Sequence, residues 1–156
     1  MAYKRILEKT ALLLFVLALV VVFFAYARLR PAVAPNQGSF IEINGQRIEV
    51  ELADTPARQA RGLSDHPAFT DKQGMLFIFP QKQIQSFWMK EMLFPLDIIW
   101  IDGGRVAGIA PDLPPEGQTP KNIYSSPEPV DRVLEVNAGW AERHKVKTGD
   151  RVEYHL

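Results

Sequence analysis

Ile41 to Leu52 constrain the fold of this chain more than any other stretch. Apolar and polar residues alternate there on both sides of Asn44-Gly45. A period of two marks a strand with one buried face, and Asn-Gly is the preferred pair for a two-residue type I′ turn. The predicted register sets Ile43 opposite Gln46, Glu42 opposite Arg47 and Ile41 opposite Ile48. Ile41, Ile43, Ile48, Val50 and Leu52 then share a core face, and Glu42 and Arg47 form a cross-strand ion pair on the other.

The rest of the chain continues in short elements. Thr55-Pro56-Ala57-Arg58-Gln59-Ala60-Arg61-Gly62 reads as a short helix with Thr55 as its cap, Pro56 in the first turn and Gly62 as its stop. Strands are predicted over residues 74–79 (closed by Pro80), 84–90, 96–101, 105–110, 130–136 and 151–155. Asp102-Gly103-Gly104 joins two of these as a hairpin. Residues 137–145 form a second short helix, with Asn137 as a possible cap. Pro111 to Pro129 hold six of the twelve prolines and are expected to be a long loop. The sum is a mainly β domain, a sandwich or barrel with two short helices.

Ahead of this domain, residues 11–27 contain no charge. As a helix they would span roughly 26 Å, enough to approach the thickness of a bilayer core. Lys4, Arg5 and Lys9 favour a cytoplasmic N-terminus. The expected organisation is a cytoplasmic stretch 1–10, a transmembrane helix or signal anchor 11–27, a tether 28–38 and an extracytoplasmic β domain 39–156. This places a single-pass protein in the cytoplasmic membrane. Ala25-Tyr26-Ala27 also resembles a signal-peptide cleavage site, so secretion after cleavage is the alternative.

The 18 basic and 18 acidic residues cancel over the whole chain, but Lys4, Arg5, Lys9, Arg28 and Arg30 outnumber Glu8 in the first 36. The folded part therefore has an acidic excess, which disfavours nucleic acid as a partner. With no cysteine, disulfides and thiolate chemistry are excluded. His66, His144 and His155 lack metal-ligand spacing, and neither metal nor cofactor is expected. No P-loop, dinucleotide fingerprint, GxSxG or HExxH occurs.

Asp97 is the residue most out of place, within the apolar run Leu93-Phe94-Pro95-Leu96-Asp97-Ile98-Ile99-Trp100-Ile101. A buried carboxylate needs a partner, and Arg61 or Lys90 is the expected one. Alternation in Ser86-Phe87-Trp88-Met89-Lys90 puts Phe87 and Met89 on the core face and Trp88 beside Ser86 and Lys90, as on a pocket wall. Glu135, beside Val133 on its strand, is a second, partly buried acid candidate. Arg61, Trp88, Lys90, Asp97 and Glu135 thus form a candidate ligand site, with Trp88 as a stacking surface and the cations as donors. A buried ion-pair network that fixes strand register is the structural alternative. Trp100 and Trp140 are expected in the core.

Several motifs in order carry a resemblance: Ala53-Asp54-Thr55-Pro56, Arg61-Gly62-Leu63, Gly74-Met75-Leu76-Phe77, Phe87-Trp88-Met89-Lys90, Pro95-Leu96-Asp97-Ile98, Val133-Leu134-Glu135 and Gly139-Trp140-Ala141-Glu142. Across residues 40–155 the chain resembles the domain of unknown function 192 family. That resemblance implies a jelly-roll-like β domain, often secreted or membrane-tethered, and no particular activity. Two departures stand out: Glu91-Met92 follow Lys90 where the family usually has Asn-Thr, and Ser64-Asp65 follow Leu63 where it often has Met and an aromatic.

Together these readings point to a membrane-anchored, extracytoplasmic binding domain for a small molecule, a glycan or an envelope protein. The alternatives are an envelope polysaccharide hydrolase using Asp97 and Glu135 as paired carboxylates, and a structural or assembly accessory.

Overall fold

The computed structural model describes residues 38–156. The expected cytoplasmic stretch, transmembrane helix and nearly all of the tether lie outside the described residues. Among the described residues no helix is long and apolar enough to cross a membrane.

The elements are β1 (Phe40–Ile43), β2 (Gln46–Ala53), α1 (Pro56–Arg61), β3 (Gln73–Gln83), β4 (Ser86–Phe87), β5 (Leu96–Asp102), β6 (Arg105–Leu113), β7 (Tyr124–Ser125), β8 (Val130–Asn137), α2 (Trp140–Arg143) and β9 (Val152–His155). The β1–β2 hairpin has the predicted register, Ile43 to Gln46 and Ile41 to Ile48. Its turn residues carry the positive φ of a type I′ turn, 52° at Asn44 and 75° at Gly45. Glu42 stands opposite Arg47, but the expected ion pair is not made. The Arg47 guanidinium instead lies 3.7 Å above the Phe40 ring, where cation and ring attract.

α1 has the expected ends. Thr55 accepts a hydrogen bond from the Arg58 N–H, Pro56 opens the helix and Gly62 ends it at φ 49°. This helix and the segment after it carry the chain over to a strand parallel to β2, with Glu49 beside Gln73 and Ala53 beside Phe77. A parallel pair requires such a crossover.

Seven strands form one sheet in the order β6-β5-β8-β3-β2-β1-β9, and β4 pairs with β7 in a separate ribbon. The large sheet curls into a half-barrel. At one end its two edges meet: Val106 N–H donates to the Asp150 carbonyl at 2.9 Å and Val152 N–H to the Gly104 carbonyl at 2.9 Å. The mainly β domain with two short helices is found as expected, and between sandwich and barrel the large sheet takes the curled, half-barrel form, with one parallel pair where the β2–β3 crossover adds β3 to the same sheet.

Alternation splits the apolar residues into two cores, one on each face. One core holds Ile41, Ile43, Ile48, Val50, Leu76, Ile99, Leu134 and Val136, with Trp140 of α2 packed in. The other holds Met75, Phe77, Ile98, Trp100 and Val133, covered by Leu63, Phe69, Met89 and Met92 from the connecting segments. Trp100 and Trp140 are buried, as expected.

Two proline expectations fail. β3 continues through Pro80 to Gln83, at a register break between Ile78 and Gln83. β6 continues through Pro111 to Leu113; it lies at the edge of the sheet, where a missing N–H need not break a ladder. The strand expected over 84–90 shrinks to Ser86–Phe87, with one isolated bridge from Lys90 to Glu116. The helix expected over 137–145 is reduced to Trp140–Arg143, and Asn137 does not cap it.

Candidate functional site

Asp97 explains that last change. Its side chain is fully buried. Oδ1 accepts from the Asp112 N–H at 2.9 Å and the Gly139 N–H at 3.0 Å, and Oδ2 accepts from the Ala141 N–H at 2.8 Å. The carboxylate from β5 therefore serves the first turn of α2 and the bulge of β6, where Pro111 and Asp112 bulge between the pairs Leu96–Leu113 and Ile98–Ala110. The expected cationic partner, Arg61 or Lys90, is replaced by three backbone amides, a set of charge-assisted hydrogen bonds.

Asp97 also lies on the wrong face for the proposed pocket. It stands opposite Val136, whose side chain belongs to the first core, whereas Glu135 stands opposite Ile98 of the second core. The two acids thus point to opposite faces of the sheet. A pair of carboxylates flanking one sugar requires a shared cleft.

The remaining four candidates come together. Arg61, Trp88, Lys90 and Glu135 all line a cavity of about 170 Å³ between α1, the start of β4 and the outer face of the sheet. Gln59 ties α1 to the sheet by donating through Nε2 to the Ala53 carbonyl at 3.3 Å and the Ile78 carbonyl at 2.7 Å. The β4–β7 ribbon closes the opposite side. There Phe87 packs edge-on against Phe77 and Trp100, with ring centroids at 4.9 and 5.6 Å. Trp88, next along, is 56% exposed at the mouth, in contrast to the other two tryptophans.

Glu135 forms part of the cavity wall from the interior strand β8, between Met75 of β3 and Ile98 of β5. It is buried, and its Oε2 has no hydrogen-bond partner. Burial pushes its carboxyl up to about 8, so the group holds its proton at neutral pH and acts as a donor. Gln85 is the residue that sequence reasoning missed. It too is buried and lines the cavity, and its Nε2 has no partner. Its position was readable: Gln85 has the same parity as Phe87 and Met89, so a polar side chain was due on the core face. The Gln85 main chain is fixed by Ser126, through N–H to Oγ at 3.1 Å and carbonyl to N–H at 2.9 Å.

Strand pairing also produces a cluster that spacing in the sequence did not show. Glu42, Glu153 and His155 bring ligand atoms within 4.8 Å of one another on β1 and β9. None of the three is buried, and His155 also stacks on Phe40 at 4.2 Å. His66 and His144 lie elsewhere, against Glu51 and Asp71.

The match to a family model covers residues 39–154, which is nearly every described residue, and the family is DUF192, described as "Uncharacterized ACR". The chain belongs to the DUF192 family. A crystal structure from Sinorhizobium meliloti 1021, of a protein suggested to be a transcription regulator, superposes with a TM-score of 0.68 at 31% identity, over 78% of this chain and 97% of that one. A protein of unknown function from Novosphingobium aromaticivorans superposes with a TM-score of 0.67 at 34% identity, over 79% of this chain and 91% of that one. Comparison with curated proteins gives no match. These DUF192 likenesses establish the fold and the family, and leave the chemistry to be argued from the cavity itself.

Proposed function

We propose that this DUF192 domain binds a small molecule in the cavity between α1 and β4, and that residues 11–27 hold it at a membrane with the domain on the extracytoplasmic side. One observation carries the binding reading: Glu135 and Gln85 are buried polar side chains that line a cavity and leave polar atoms unpartnered. Such atoms take their partners from whatever occupies the cavity. Two further features agree with it. Trp88 is exposed at the mouth, and neither Arg61 nor Lys90 has an ion-pair partner among the described residues. A purely structural network would saturate those charges, so the accessory reading is the weaker one.

The hydrolase alternative loses its geometric basis with Asp97 on the far face. The transcriptional role suggested for the Sinorhizobium relative does not carry over, because the folded part of this chain has an acidic excess, unsuited to a phosphate backbone. The tether reading rests on the uncharged run 11–27 and the basic residues before it.

Native mass spectrometry of the full chain, extracted gently from membranes, tests the binding reading. A small molecule should co-purify with the wild type and be lost from Trp88→Ala, whose melting temperature should stay within about a degree because the side chain is exposed. A wild-type protein with no bound species, and no thermal response to any metabolite fraction, would sink it. For the tether, the domain should be digested by protease added to spheroplasts, whose cytoplasmic membrane is intact and exposed; protection there would place it on the cytoplasmic side.

A further inference from the structure

The wall of this cavity is unusual in what it leaves free. Several polar atoms of the neutral side chains around it are already engaged. Gln59 Nε2 donates to two carbonyls, Ser64 Oγ donates to the Lys90 carbonyl at 3.1 Å, and the Ser86 and Ser125 hydroxyls pair at 2.9 Å. The groups left over are the Gln85 amide nitrogen, the Glu135 carboxyl, and the cations Arg61 and Lys90. At neutral pH the protonated carboxyl leaves the cations Arg61 and Lys90 as the ionised groups of the lining. A neutral sugar brings no charge to match those two cations. A carboxylate does, and it also accepts from the Gln85 amide and the Glu135 carboxyl.

Size and shape narrow the class further. A cavity of about 170 Å³ lies below the usual range of roughly 300–1,000 Å³ for drug-sized ligands. A polymer does not fit within it. The flat face of Trp88 at the mouth, beside Phe87 in the wall, suits a planar or apolar body. We infer that the cavity takes a small organic carboxylate, its charge matched by Arg61 and Lys90 of the lining and its flat apolar body against Trp88. This rests on the binding reading above and adds the ligand class to it.

Glu135 gives the inference a pH signature. The strands flanking it offer Met75 and Phe77 from β3 and Ile98 and Trp100 from β5 on that face. The charged groups that share its cavity are Arg61 from the end of α1 and Lys90 beyond β4. As pH rises through about 8, the floor changes from a donor to a like charge, and an anionic ligand is repelled.

The test is a titration of the full chain in detergent micelles, read by the part of the tryptophan fluorescence that Trp88→Phe removes, with benzoate, benzyl alcohol, methyl glucoside and inorganic phosphate as probes. Benzoate should give a saturable response and benzyl alcohol, its neutral counterpart, should bind at least about tenfold more weakly. Arg61→Ala, exposed and safe for folding, and Lys90→Ala should each weaken benzoate. Benzoate affinity should hold from pH 6 to 7.5 and fall above 8. Glu135→Gln, which keeps a donor, should retain binding and remove that fall. Benzyl alcohol or glucoside binding as well as benzoate would overturn the carboxylate class and leave a binding cavity standing. Phosphate binding without benzoate would overturn the flat-body assignment. No saturable response to any of the four would overturn this inference, while a species co-purifying on the Trp88-dependent site would still support binding.

Discussion

Asp97 and Glu135 are both buried acids on adjacent strands, and their surroundings give them opposite tasks. Asp97 receives three backbone N–H groups, so it organises α2 and the β6 bulge. Asp97→Asn keeps the shape but turns an amide N–H toward at least one of those donors. It should destabilise the domain by about 3 kcal/mol in urea unfolding; a change under about 0.5 kcal/mol would mean the three bonds contribute little. Glu135 receives no such donors, and burial raises its carboxyl to about 8 from a usual 4.5. The folded chain keeps this proton up to about pH 8 while the unfolded chain releases it near 4.5. Between those values the folded state binds more protons, so stability falls as pH rises across that window and levels off above it. The loss is on the order of a few kcal/mol. Urea unfolding at pH 5 and pH 8 should show the slope, and Glu135→Gln should flatten it. The sequence marked Asp97 as buried and Glu135 as partly so. It could not separate them, because backbone amides leave no trace in residue identity, and a search for charged partners looks past them.

Elements were legible where local chemistry decides them. The Asn44-Gly45 turn, the Gly103-Gly104 turn and the Thr55 to Gly62 helix depend on φ values and caps within a few residues, and each is found where expected. Elements decided by position in the sheet were not legible. Pro80 and Pro111 are tolerated because one lies at a register break and the other on an edge strand, and neither fact is local. The four cavity residues illustrate both cases. Trp88 and Lys90 were found by alternation within one strand, whereas Arg61 reaches the same cavity through a crossover that alternation cannot show. Gly74 in β3 offers a test of how tightly that sheet is assembled. A Cβ there would lie 2.7 Å from the Glu135 carbonyl oxygen of β8, a distance that requires backbone movement. Gly74→Ala should therefore destabilise by about 2 kcal/mol or more, while Gly117→Ala, with open space around it, should stay within about 0.5 kcal/mol. Equal effects at the two positions would show that β3 and β8 have slack.

At the scale of the whole domain, two cores share one sheet. β3, β5 and β8 alternate their side chains between them, with Leu76, Ile99 and Leu134 on one face and Phe77, Ile98 and Val133 on the other. Neither core can be exposed without dissolving strands that the other needs, so the domain should unfold in one step. Two buried tryptophans report the two sides: Trp140 sits in the first core and Trp100 in the second. With Trp88 replaced by Phe, variants that keep only Trp100 or only Trp140 can each be unfolded in urea, following fluorescence and far-ultraviolet circular dichroism together. In each variant the fluorescence midpoint should coincide with the circular dichroism midpoint. A Trp100 transition that precedes loss of strand signal would mean that α1 and the β4–β7 ribbon peel away first. The cavity they enclose would then open at a free energy below that of global unfolding, giving a ligand a route to the buried floor at Glu135 and Gln85.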